Sequence, residues 1–124
     1  MSLKDVEIRS LKKLCAAGLE KQALKYVLNR GGVAPTLALL KFGMGLAEQL
    51  KRSRDHEALA SAAIQHFPNN SAGYIQLTRL LASRGEHGKA RSVLYSAPQH
   101  RNMGRVFRQV REDVESSNWG ELGT

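Results

Sequence analysis

Gly85-Glu86-His87-Gly88-Lys89-Ala90 shares with Gly18-Leu19-Glu20-Lys21-Gln22-Ala23 its glycine, its polar middle and its closing alanine. The two glycines are 67 residues apart, and so are the two alanines. Pro35 and Pro68 are 33 apart. A separation of 67 residues therefore holds two units of about 33 or 34, the period range of helical-repeat arrays. The implied units are 4–36, 37–70 and 71–104, each a helix pair, followed by a seventh helix over 104–117. Together they make one domain over 1–117, and the Gly-rich, aperiodic residues 118–124 read as a flexible tail.

Apolar spacing along the chain agrees. Leu11, Leu14 and Cys15 fit one helix face, and Leu24, Val27 and Leu28 another. Leu37, Leu40 and Met44 give a third, and Ala60, Ala63, Ile64 and Phe67 a fourth. Leu77, Leu80 and Leu81, then Ala90, Val93, Leu94 and Ala97, then Val106, Phe107, Val110 and Val114 complete seven. Period-2 alternation is nearly absent, so the fold class is all-α. Gly18, Gly31-Gly32 and Gly85 fall where helices should end. Pro35-Thr36 and Asn70-Ser71 offer caps just before apolar runs.

This pattern resembles the tetratricopeptide repeat, a 34-residue helix–turn–helix unit whose two helices approach closely at small residues. The third unit carries the likeness best, with Tyr74, Leu77, Gly85, Ala90, Leu94 and Ala97. The middle unit ends in Ala63-Ile64-Gln65-His66-Phe67-Pro68-Asn69-Asn70, which is similar to the family's usual repeat ending. Several positions depart from it. Glu7 stands where an aromatic is usual, Arg30 where alanine is usual, and Leu11 and Met44 where a small residue is usual. Ala58 does not align with Ala23 and Ala90, which suggests that the middle second helix is shifted by about two residues. An unrelated bundle of six or seven helices is the competing reading. The related pentatricopeptide family, which reads RNA base by base, fits less well, because Ala23 to Pro35 spans only twelve residues.

The resemblance implies an antiparallel α-solenoid of about three repeats with a capping helix, binding a partner peptide or helix in a concave groove. Carried over position by position, the groove residues include Ile8 and Lys12, then Lys41 and Gln49, then Ile75 and Arg79. Lys12, Lys41 and Arg79 supply one cation per unit, suited to an acidic or carboxylate-bearing ligand. They read equally well as solvated surface. The Lys/Asn carboxylate clamp of some chaperone adaptors in the family is not implied, since the matching places hold Lys12, Phe42 and Gly45. Adaptors, assembly factors and type III secretion chaperones are the roles the resemblance implies for so short an array, and self-association is a further one.

Net charge is +8, from 19 Lys+Arg against 11 Asp+Glu. It is concentrated between Arg79 and Arg111, where eight basic residues face one acidic residue, Glu86. Arg101, Arg105 and Arg108 are spaced for one helix face, and Arg111 continues the stripe. Arginine forks suit carboxylates and phosphates, so RNA or DNA binding on this surface is the second reading of function. A solvated face, balanced by Glu112, Asp113 and Glu115, is the plainer one. Base reading needs stacking aromatics, and Phe42, Phe67, Tyr74, Tyr95 and Phe107 read as packing residues, with Tyr26 ambiguous.

No catalytic constellation is evident. His56, His66, His87 and His100 lack metal-helix spacing, and Cys15 is the lone cysteine on an apolar face. The glycine pairs lack the context of a phosphate loop. The expectation is a non-enzymatic protein with no cofactor or metal. Neither a signal peptide nor a membrane-spanning run is visible, so the cytoplasm is the expected compartment.

Overall fold

The computed structural model describes residues 3–30, 35–98 and 104–116. Seven α-helices and no strand occur among these residues. They are α1 (Leu3–Ala16), α2 (Glu20–Arg30), α3 (Leu37–Gln49), α4 (Ser53–His66), α5 (Ser71–Ser83), α6 (His87–Ser96) and α7 (Gly104–Ser116). The all-α class with seven helices is as the periodicity predicts. The tail at 118–124 and Arg101 lie outside the described residues.

Three turns between consecutive helices share one geometry. Gly18 and Gly85 have φ of 81° and 80°, and Lys51 takes 57°. Around each, the same two closing bonds form. Leu19 N donates to Leu14 O and Gly18 N to Cys15 O. Arg52 N donates to Ala47 O and Lys51 N to Glu48 O. Glu86 N donates to Leu81 O and Gly85 N to Ala82 O. This is a Schellman helix ending, in which a left-handed residue turns two backbone N–H groups onto the last free carbonyls. Residues 18, 51 and 85 therefore fix a common register with steps of 33 and 34.

The register holds inside the helices. Val27, Ala60 and Leu94 are equivalent and fully buried, as are the nearly inaccessible Leu11, Met44 and Thr78. Ala23, His56 and Ala90 are equivalent as well, each N–H donating to the carbonyl four residues back, of Leu19, Arg52 and Glu86. The middle second helix is thus in step, not shifted. Ala58 fails to align because buried His56 occupies the small-residue place.

Capping follows the sequence. Thr36 Oγ1 accepts from Leu39 N at 3.1 Å, starting α3, and Asn70 Oδ1 accepts from Ala72 N at 2.9 Å, starting α5. Tyr74 Oη donates to Pro68 O at 2.9 Å, tying α5 to the turn before it.

The chain forms two compact units, Met1–Ala62 and Ala63–Thr124, with the boundary inside α4. In the first, α1 packs on α2, and α3 packs on both. Gly43 allows this approach: a Cβ there would overlap Val27 Cγ1 and lie 2.9 Å from Leu59 Cδ1. In the second unit, α5 packs on α6 and on α7. Tyr74, Ile75, Leu94, Ala97 and Val110 form its apolar cluster, with Ile64 and Val93 against it.

Candidate binding surfaces

The proposed groove residues sort differently by burial. Lys12 on α1 and Lys41 and Gln49 on α3 are exposed, and Ile8 is half-buried. Arg79 on α5 is exposed, in the second unit. Ile75 is not a surface residue: it is 7% exposed and belongs to the cluster that includes Val110 of α7. The register also separates the cations. Lys12 and Arg79 are equivalent to each other and to Gly45, whereas Lys41 is equivalent to Ile8 and Ile75. Lys41 and Gly45 are four apart on α3, so they share one face of that helix. One cation per unit is therefore held at two different helix positions, a turn apart.

The basic surface lies in the second unit. Arg105 and Arg108 on α7 are exposed. Arg111, half-buried, sets its guanidinium 5.9 Å from the centroid of the Tyr95 ring on α6, within cation–π range. Glu86 is engaged by two neighbours, Lys89 Nζ at 3.2 Å and Arg84 Nη1 at 3.7 Å.

Tyr95, like Ile75, sits otherwise than the sequence predicts. It is 45% exposed rather than packed in the core. The signal was present in the spacing: Ala90, Leu94 and Ala97 are the buried stripe of this segment, and Tyr95 sits one residue off it. Its register equivalents, Leu28 and Ser61, are half-buried and exposed. Tyr26 is exposed too, and its hydroxyl donates to Glu7 Oε2.

Among the described residues, no three His, Cys, Asp or Glu side chains come together as a metal site would require. Burial, and secondarily the Glu20 charge, push the Cys15 thiol above its ordinary pKa. That is opposite to the shift of an activated thiolate. No helix among the described residues is long and apolar enough to cross a membrane. No protein-family profile, curated protein or solved structure matches this chain.

Proposed function

We propose that the chain is a divergent tetratricopeptide-type array that works as a protein-interaction module, holding an acidic peptide or helix against α1 and α3 of its first unit. The observation that carries this reading is the set of three identical left-handed turns at Gly18, Lys51 and Gly85. A helix pair repeated in register buries only one face per pair, and such arrays present the faces of their first helices to ligands. Lys12 and Lys41, exposed on α1 and α3 of the first unit, supply the charge for an acidic partner. The role is that of an adaptor, chaperone or assembly factor rather than an enzyme, placed in the cytoplasm.

The test is a binding assay against helical peptides of matched length, one set acidic and one basic. Wild type should retain the acidic set. Lys12→Glu with Lys41→Glu should weaken that binding by roughly tenfold or more. Equal retention of acidic peptides by the double variant would refute the reading.

A further inference from the structure

We infer that Tyr95, with Arg91, Arg108 and Arg111, forms a contact site for single-stranded RNA or DNA, the ring stacking on a base and the arginines meeting phosphates. The site includes neither Lys12 nor Lys41, so it stands apart from the peptide-binding reading.

Four observations converge on it. First, the basic excess is of one chemical kind. Between Arg79 and Arg111, seven of eight basic residues are arginine, while elsewhere only four of eleven are. Solubility needs no such bias, whereas a planar fork that pairs with phosphate and stacks on aromatic rings does. Second, the aromatic is available: Tyr95 is 45% exposed although the fold does not require an aromatic there, its equivalents being Leu28 and Ser61. Third, Arg91 lies four residues before Tyr95 on α6, so the two share a face. Arg91 replaces the buried Leu24 and the acidic Glu57 of the other units. Fourth, Arg111 brings α7 to the same ring, and Arg108 is one turn before it. Arg111 directly follows Val110, which is buried in the α5–α6–α7 cluster, so the packing of α7 holds this cation beside the exposed ring.

An acidic polypeptide without aromatic residues, such as polyglutamate, would also be drawn by the charge, but it offers no flat ring to an exposed tyrosine flanked by guanidinium groups. A nucleobase does, and stacking on tyrosine or arginine is how single strands are held without sequence reading. The acidic neighbour on α7, Glu112, is exposed one turn beyond Arg108.

The experiment is fluorescence anisotropy with a labelled oligouridylate of about fifteen nucleotides, a length within single-strand site sizes, and polyglutamate as competitor. Wild type should bind, and the affinity should fall steeply with salt. Tyr95→Ala should weaken binding roughly tenfold with the salt slope unchanged, because stacking is lost and charge is not. Tyr95→Phe, which keeps the ring, should bind as wild type. Arg91→Glu with Arg108→Glu should weaken binding and flatten the salt slope. Absence of oligouridylate binding at low salt, equal binding by Tyr95→Ala, or displacement by polyglutamate as effective as by unlabelled oligouridylate would each overturn the site. Circular dichroism on every variant confirms the helix content on which the comparison depends.

Discussion

Arg30 Nε donates to Glu7 Oε2 at 3.1 Å, joining the two positions of the first helix pair that depart furthest from its successors. In the third pair the equivalent positions are Tyr74 and Ala97, which share one apolar cluster. The first pair has thus exchanged an aromatic–alanine pairing for an ion pair, with Tyr26 as a second donor to the same carboxylate. Each departure is intelligible once the other is known, since a charge placed in a packed position needs a partner.

The two substitutions should therefore be coupled. Arg30→Ala alone leaves Glu7 without its cation, and Glu7→Leu alone leaves Arg30 beside an apolar group. Both should lower Tm. The double variant, which restores an apolar and small combination, should be more stable than the two single losses predict. A double-mutant cycle on thermal unfolding checks this, and strict additivity would show that the pair is not coupled.

Lys51 is the left-handed residue of the middle turn, with φ of 57°, where its equivalents are Gly18 and Gly85. A side chain in that region costs about 1 kcal/mol relative to glycine. The greater freedom of glycine in the unfolded chain recovers part of this. Lys51→Gly should stabilise the protein by about 0.5–1 kcal/mol. Gly18→Ala or Gly85→Ala should lose about 1 kcal/mol by the same account. Urea denaturation at constant m-value reads both.

That lysine also explains what was legible in the sequence. The all-α class and the seven helices follow from apolar spacing, which needs no knowledge of tertiary contacts. Two of the three turns were marked by glycine, and the third was hidden because lysine carries no turn signature. Without it, the middle second helix looked out of step, and His56 was not seen as the counterpart of Ala23 and Ala90. For the surfaces, sequence identified the arginine-rich stretch but misjudged two residues. Ile75 is covered by a cluster that takes Val110 from α7, a contact between distant residues. Residue type alone marks Tyr95 as a packing residue, whereas its position beside the buried stripe points outward.

Gly43 sets the approach of α3 to its neighbours in the first unit. An added methyl must displace Val27 and Leu59, both branched side chains in a packed interior. Overpacking of this kind costs roughly 1–3 kcal/mol, against a gain of about 1 kcal/mol from the better helix propensity of alanine. Gly43→Ala should therefore be neutral to destabilising by about 2 kcal/mol. Val27→Ala opens the space that the new methyl needs, so the double variant should lose less than the sum of the singles. Chemical denaturation of the four proteins decides it, and additive losses would mean that Val27 is not the obstacle.

Two tyrosines should make the protein sensitive to alkali. The hydrogen bond to Glu7, with a lesser contribution from burial, raises the Tyr26 pKa above its ordinary 10.0. Burial raises that of Tyr74. Both shifts keep the proton on the folded form. Their contribution to stability is complete below pH 10.0 and is lost as pH rises towards the folded-state values, because the unfolded chain releases these protons first. Unfolding free energy measured across this range should decline, and Tyr26→Phe should make the decline shallower. An unchanged slope in that variant would remove Tyr26 from the account.

Thr78 is fully buried in α5, and its Oγ1 finds no hydrogen-bond partner. Its equivalents, Leu11 and Met44, are apolar, so the hydroxyl occupies a place that the other two pairs fill with hydrocarbon. A buried hydroxyl without a partner carries a desolvation cost of about 1–3 kcal/mol, and an apolar group of the same shape does not. Valine matches threonine in shape but pays slightly in helix propensity no more than threonine does. Thr78→Val should therefore raise stability by about 1 kcal/mol, whereas Thr78→Ala should gain less or lose stability because it also leaves a void. The comparison of the two variants separates polarity from volume. A destabilised Thr78→Val would mean that the hydroxyl is bonded in solution.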